Sequence, residues 1–532
     1  MNTGLEIQTG AEQQRARSQQ LGDLLRRSAA RYPDRLALAF REHRDTFADL
    51  NDVVNRTANA LISLGISKGE RVAILSRNSR AFVIVRFALA KIGAIATPVN
   101  FMLNAEDVAY ILDHSGARGL ICQDTLCPVA EEALDRIGGG PDILLSIAHG
   151  GGAVSDRWSP VEDLFACADA SEPWTDVQPD DPIQMMYTSG TESRPKGAMM
   201  STSALLDQYV TVIVDGEMQP DTVELHCLPL FHCAQLDCFL TPDLYLGATS
   251  ILHDGADPAA MFAAIEAEKV TKLFCPPTVW ILLLRHPEFD KHDLSSLRQG
   301  YYGASIMPTA IIEELSARLP NMRLYNFYGQ TEMAPCATIL RPEEQLTKLG
   351  SAGRPGLNVE TRVVNDQDDE VPVGEVGEIV HRSPHLTLCY YNDPDKTAEA
   401  FRNGWFHSGD LGRFDEDGYL YVVDRKKDMI KTGGENVASR EVEETIFRHP
   451  KVAEVAVFGV PHPKWIEAVV AVVVPKPGQN VTAEEVTDYC RGALSVFKTP
   501  KHIALRDSLP KNASGKILKR ELREEFAVLF EG

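Results

Sequence analysis

The sequence predicts an α/β protein. It has a large N-terminal domain of parallel sheets covered by helices, a β subdomain behind that, and a small C-terminal α+β domain. Three observations predict this. Val-, Ile- and Ala-rich runs alternate with helix-like segments through the first two thirds of the chain. Gly, Pro and Asp turns then separate short strands, and helix–strand alternation returns near the C-terminus. At 532 residues the chain exceeds what one core holds, so two or more domains are expected.

The elements follow in order. Residues 1–20 are polar, lack the apolar centre of a secretory signal, and read as a flexible leader. Arg71–Leu75, Ile95–Val99 and Gly119–Cys122 read as strands, with helices at Ala81–Ile92 and Leu103–His114 between them. Strands alternating with helices imply βαβ units and a parallel sheet. Ile183–Tyr187 is another strand, and the alternation recurs at Ser250–Leu252, Pro258–Glu268, Lys272–Cys275 and Thr278–Leu284. Gly377–His381 and Gly418–Val423 are strands of the β subdomain. The polar turn around Asp424–Asp428 is the weakest join, dividing residues 21–424 from 425–532. Beyond it, Arg440–Arg448 and Ala483–Ala493 read as helices, Val452–Val460 and Glu467–Val474 as strands.

Composition narrows the class. Hydrophobic content of 44% and charged content of 24% are ordinary for a soluble globular protein. A net charge of −22 argues against non-specific binding of nucleic acid or anionic membrane. No apolar run reaches the roughly 18 residues of a membrane helix, so no stable membrane insertion is expected. Ten scattered cysteines, without a CxxC pair, read as free thiols in a reducing cytoplasm. Residues 425–532 carry +3 and the rest −25, which suits a basic lid meeting polyphosphate but also fits chance in a small domain.

Four clusters carry candidate chemistry. Tyr187–Met200, YTSGTESRPKGAMM, offers the hydroxyls of Thr188, Ser189 and Thr191, a turn glycine at Gly190 and a cation at Lys196. Small residues and consecutive N–H groups make an anion-binding nest, although the Walker A pattern is absent. Tyr325–Glu332, YNFYGQTE, joins stacking aromatics to a hydroxyl and a carboxylate able to hold Mg²⁺ beside phosphates. Trp405–Leu411, WFHSGDL, sets Asp410 in a turn where it can accept ribose hydroxyls, and Arg425 follows by 15 residues. Lys511–Arg520, KNASGKILKR, puts Lys516 behind a flexible Ser-Gly. Each cluster alone also reads as ordinary turn or surface chemistry.

Together and in this order, the clusters resemble the acyl- and aryl-CoA synthetases of the adenylate-forming superfamily, over about Leu21 to Phe530 and most like the fatty-acyl-CoA synthetases. The resemblance implies a two-step ligation using ATP, CoA and Mg²⁺. A carboxylic acid becomes an acyl-adenylate with loss of pyrophosphate, and CoA then displaces AMP. Thr188–Lys196 would grip the β- and γ-phosphates. Tyr328, with Gly329 beside it, would stack on adenine, with Gly303, Ala304 and Ser305 along its edge. Thr331 would touch the α-phosphate, Glu332 with Thr191 would hold Mg²⁺, and Asp410 and Arg425 would anchor the ribose. Lys516 matches the adenylation lysine. A mobile C-terminal domain would turn about Lys427, withdrawing Lys516 and bringing in Lys431, Gly433 and Gly434 for the pantetheine arm. Such preorganised groups each supply on the order of 2–4 kcal/mol to a transition state.

The acyl pocket would begin at Leu228–Gln235, with His232 as gate, candidate catalytic group and less readily a base. Cys233, Val279, Gln330 and Ala334 would be walls. Val279 and Trp280 face different sides of their segment, and either could meet the acyl chain. Gln235 and Asp237 add polarity that an alkyl pocket does not require. The apolar lining favours a fatty or aryl monocarboxylate. Two departures from the family pattern stand out: Glu192-Ser193 in place of Thr-Gly, and Asp424 where glycine is common. A carboxylate beside polyphosphate costs electrostatic energy unless it turns outward or pairs with Arg194. Two other readings stay open: transfer of the acyl group to a non-CoA acceptor, and an acyl-binding pseudoenzyme. The chain allows a homodimer.

Overall fold

The computed structural model describes residues 11–188, 194–305, 307–512 and 517–530. Their contacts divide into two compact units. The first takes the chain up to Ala256 with Thr331–Pro335 and Pro384–Pro394. The second takes Asp257–Gln330, Cys336–Ser383 and everything from Asp395.

The first unit holds an eight-stranded sheet. Its spatial order is Cys389–Tyr390, Lys196–Ser201, Pro182–Thr188, Ile95–Val99, Arg71–Leu75, Gly119–Gln123, Ile143–Ile147 and Ser159–Pro160. From Pro182–Thr188 onward the strands are parallel, and the first two are antiparallel. Ile95–Val99 and Gly119–Gln123 are buried at every position, which is why they read as continuous apolar runs rather than alternating ones. The helix Arg80–Ile92 starts where the Ser79 hydroxyl accepts from Phe82 N and ends at left-handed Gly93. All its residues but the first are buried, Arg86 and Lys91 included. In the same unit, Val223–His226, Thr249–Leu252 and Leu36–Phe40 are parallel neighbours, with His43–Thr46 antiparallel at the edge. Within the expected leader, Ala11–Arg17 is helical, and the Arg15 guanidinium lies 4.8 Å from the Trp174 ring.

In the second unit, Lys272–Phe274, Gln299–Gly303 and Arg323–Gly329 are parallel, and Cys336–Leu340 and Arg354–Pro355 extend them antiparallel. Glu360–Val364, Gly377–Arg382, Trp405–Phe414 and Leu420–Arg425 form the antiparallel β subdomain. Near the C-terminus, Val452–His462 and Ile466–Pro475 make a long hairpin, joined by Ile430–Thr432 and His502–Leu505. Its alternating valines fill two cores. Val455, Val457, Val469 and Val473 pack with helices Ser439–Phe447 and Ala483–Ala493, while Phe458, Val470 and Val472 pack against Leu522. The expected strands and helices all form, with ends moved by up to a few residues. Among the described residues, no helix is long and apolar enough to cross a membrane.

Candidate active site

The predicted site residues fall in both units. Thr188, Lys196, His232, Cys233, Thr331, Glu332 and Ala334 belong to the first. Val279, Gly303, Ala304, Ser305, Tyr328, Gly329, Gln330, Asp410, Arg425, Lys427, Lys431, Gly433 and Gly434 belong to the second. Ser189, Gly190, Thr191, Glu192, Ser193 and Lys516 lie outside the described residues.

In the first unit Pro182–Thr188 and Lys196–Ser201, which flank the loop expected to bind phosphate, pair antiparallel, and their ends meet as the pair Thr188 and Lys196. Arg194 lies over the Tyr110 ring at 5.1 Å, and the Tyr110 hydroxyl donates to the Pro195 carbonyl at 3.1 Å. The Lys196 ammonium stands 4.6 Å from the centroid of the Tyr390 ring. That ring arrives on the two-residue strand Cys389–Tyr390, where Tyr390 pairs with Ala198. Its hydroxyl donates to Glu332 Oε1 at 2.8 Å. Glu332 is buried, and its backbone carbonyl accepts from Thr387 N at 2.7 Å, so the main chain is held by Thr387 while Tyr390 orients the carboxylate.

Thr331, one residue earlier, brings its hydroxyl 3.5 Å from Cys233 Sγ. Burial pushes the Cys233 thiol up to about 12. His232 caps the short helix that follows it, its Nδ1 accepting from Ala234 N at 3.1 Å. A neutral ring with that acceptor carries its proton on Nε2. Ala334 is buried behind the same turn. Lys196, Tyr390, Glu332, Thr331, Cys233 and His232 therefore form one continuous cluster. Tyr390 was not among the residues singled out in the sequence.

In the second unit, Gly303 ends a central strand where a Cβ would lie 2.4 Å from the Phe327 carbonyl oxygen, so only glycine fits. Ala304 then adopts a left-handed φ of 64°, uncommon without glycine, and turns Ser305 outward. The Tyr328 hydroxyl donates to Asp410 Oδ2 at 2.7 Å. Burial, then the Asp410 carboxylate, push the phenol well above its ordinary value. Asp410 and Arg425 are register partners on adjacent strands, with Asp410 Oδ1 3.5 Å from Arg425 Nε. The stacking ring and both ribose anchors of the sequence reading thus meet directly.

Asp424 explains its own departure. Its carboxylate accepts from Ser439 N at 2.7 Å, at the first turn of helix Ser439–Phe447, where a negative charge is favoured. Lys427 is exposed in the turn after Arg425, where Asp428 accepts from Arg523 at 2.7 Å. Gly433 and Gly434, at φ of 62° and 90°, make a two-residue hairpin beside exposed Lys431. Of the ambiguous pair, Trp280 is buried with its indole N–H donating to the Tyr301 carbonyl at 3.0 Å, so Val279 lies on the other side of the helix. Gln235 and Asp237 also point into the interior. Gln235 joins Leu228 N and His226, and Asp237 joins Gln184 and Tyr209.

Glu332 supplies the one hard, buried carboxylate of the cluster, with a threonine hydroxyl beside it. That set is too small to cage a metal alone, and it suits Mg²⁺ held jointly with substrate phosphates.

The chain matches the family described as AMP-binding enzyme over residues 25–391, and the AMP-binding enzyme C-terminal domain over residues 441–516. It is 38% identical over 510 residues to a feruloyl-CoA synthase from Amycolatopsis sp, covering 96% of this chain and 100% of that one. It is 35% identical over 506 residues to an indoleacetate–CoA ligase from Aromatoleum aromaticum, covering 95% and 98%. A crystal structure of an anthranilate CoA ligase in complex with anthranoyl-AMP superposes with a TM-score of 0.89 at 27% identity, covering 97% and 98%.

Proposed function

Because the chain belongs to the AMP-binding enzyme family, as an AMP-forming acid–CoA ligase, we propose that its acid is an aromatic monocarboxylate and that its site residues divide the two steps between them. ATP and CoA are its co-substrates. In the first step a carboxylate oxygen bonds to the α-phosphorus of ATP and the bond to pyrophosphate breaks. In the second the CoA sulfur bonds to the acyl carbon and AMP leaves.

The contact chain from Lys196 through Tyr390 to Glu332 carries the assignment of roles. Joining an anion to a polyanion is chiefly a problem of neutralising charge and aligning atoms. Lys196 would meet the β- and γ-phosphates. Glu332, oriented by Tyr390, would hold Mg²⁺, with Thr191 from the loop; the ion when bound neutralises charge on the phosphates. Thr331 would donate to the α-phosphate. Tyr328 would lie against the adenine, and Asp410 with Arg425 would take the ribose hydroxyls. Lys516 would bridge carboxylate and α-phosphate in the first step only. Residues 425–532 would then turn about Lys427, and the exposed Gly433-Gly434 hairpin would flank the pantetheine arm. No base is needed for the thiol, since a few per cent of a group with pKa near 8.5 is ionised at neutral pH.

The aromatic preference rests on the feruloyl, indoleacetate and anthranilate ligases to which the chain is similar. Pyrophosphate release from Mg-ATP, measured across aryl, arylacetic, cinnamic and fatty acids with and without CoA, tests it. Sustained turnover with aromatic acids and CoA supports the proposal. Turnover confined to fatty acids sinks the aromatic assignment. Release that ignores CoA would show another acceptor.

A further inference from the structure

Beneath the gate, the segment after His232 departs from a regular helix. Residues Leu236–Leu240 make a π-turn, closed by Thr241 N donating to the Leu236 carbonyl five residues back. Such turns are rare and concentrate at functional sites. The turn places Asp237 in the interior, with no exposed surface. Asp237 Oδ2 accepts from Gln184 Nε2 at 2.7 Å, and Oδ1 accepts from the Tyr209 hydroxyl at 3.0 Å.

Gln184 lies on Pro182–Thr188, the strand that enters the phosphate loop. Tyr209 lies on Thr202–Asp215, the helix that follows the strand leaving it. One carboxylate therefore ties the acyl gate to both sides of the phosphate loop. Arg86, on helix Arg80–Ile92 of the same unit, is only 1% exposed, and its three guanidinium nitrogens have no hydrogen-bond partner among the described residues. Burial raises the Asp237 carboxyl from its ordinary range, and the largest opposing influence is the Arg86 charge, which acts on Tyr209 as well.

A buried charge pair is costly. An apolar set of similar volume often stabilises a fold as well or better. Fold stability alone therefore gives little reason for Arg, Asp, Tyr and Gln to meet here. The reaction supplies one, because a carboxylate on the gate side must align with the α-phosphate on the loop side. Misplacement by about 1 Å can cost on the order of a hundredfold in rate.

We propose that Asp237, with Arg86 as its buried counter-charge, is a positioning residue for adenylation that fixes the acyl gate in register with the phosphate loop. The inference rests on the adenylation reading above.

The test measures pyrophosphate release and, separately, thioester formation from supplied acyl-adenylate and CoA. It uses the full chain as wild type, Tyr209→Phe, Asp237→Asn and Arg86→Met, each with its Tm. Leu61→Ala, in the buried face of helix Phe47–Ser63, serves as a core-destabilised control. Tyr209→Phe should lower adenylation kcat roughly tenfold and Asp237→Asn further, with KM for acid and ATP within about threefold and the thioester step within about twofold. Added to Asp237→Asn, Arg86→Met should cost less than it does in the wild type, because it no longer strands a buried carboxylate. Leu61→Ala should lose Tm while keeping adenylation kcat. Adenylation within twofold of wild type in both Tyr209→Phe and Asp237→Asn overturns the proposal. So does a parallel fall of both half-reactions in step with Tm. Failure of the substrate proposal would look different: a wild type inactive on aromatic acids, whereas failure of the anchor is variants matching an active wild type on whichever acid it takes.

Discussion

The hydroxyl of Tyr390 donates to Glu332 at 2.8 Å while the ring of Tyr390 faces the Lys196 ammonium. One aromatic side chain thus orients the carboxylate proposed for the metal and packs against the cation proposed for the phosphates. Hydrogen bonds to charged groups contribute about 1.5–3 kcal/mol. Tyr390→Phe should therefore lower the adenylation rate by roughly ten- to a hundredfold and raise the Mg²⁺ concentration needed for half-maximal rate. A magnesium titration of pyrophosphate release checks this, and an unchanged titration would count against Glu332 as the metal ligand.

The Tyr328–Asp410 pair makes a second prediction. Asp410→Ala should raise KM for ATP by at least tenfold, because it removes both the partner of Tyr328 and that of Arg425. Tyr328→Phe keeps the ring and loses only the hydroxyl, so its effect should be the smaller of the two. Equal effects from the two variants would mean that the hydrogen bond, rather than nucleotide contact, is what Asp410 supplies.

Alternation of the C-terminal domain is tested at Lys516. Lys516→Ala should abolish acyl-adenylate formation and spare thioester formation from supplied acyl-adenylate. Equal loss of both would reject a lysine that serves one step only. Glycine-to-alanine replacement at Gly434, where φ is 90°, should instead slow the thioester step.

Acid should loosen the turn that carries Glu332. His385 is fully buried, its Nδ1 3.1 Å from the Met333 carbonyl, and burial lowers its pKa to about 4. A histidine whose folded value lies below its unfolded value of about 6.5 contributes stability above that pH and loses it as pH falls. The loss should run from about pH 6.5 to 4 and amount to about 3 kcal/mol in all. His385→Gln should flatten that part of the Tm-versus-pH curve, and an unchanged slope would remove His385 from the account.

Cys233 should resist alkylation. With its thiol raised to about 12 by burial, the thiolate fraction at pH 8 is on the order of 1 in 10,000. Iodoacetamide should leave it unlabelled in the native protein and label it after denaturation, as mass spectrometry would read directly.

The legible parts of the site were those held together by the chain itself. YNFYGQTE delivered Tyr328, Thr331 and Glu332 within five residues, and WFHSGDL with the next strand delivered Asp410 and Arg425. Tyr390 was illegible for a physical reason. It lies 58 residues from Glu332 and reaches it only because two residues add antiparallel to the phosphate-loop strand. Nothing in CYYND announces so short a strand. Asp424 was visible as a departure, but its use appeared only when helix Ser439–Phe447 presented Ser439 N to it. Asp237 looked like unexplained polarity until the π-turn directed it inward.

By itself the sequence determined the α/β class and the order of elements and pointed to the candidate site residues, because hydrophobic periodicity and short motifs are local properties. Tertiary structure alone decided which distant groups share a hydrogen bond: Tyr390 with Glu332, Asp424 with Ser439, and Asp237 with Gln184 and Tyr209. Those pairings depend on strand register and helix placement, which are set by the packing of whole sheets and leave no periodic trace in the chain.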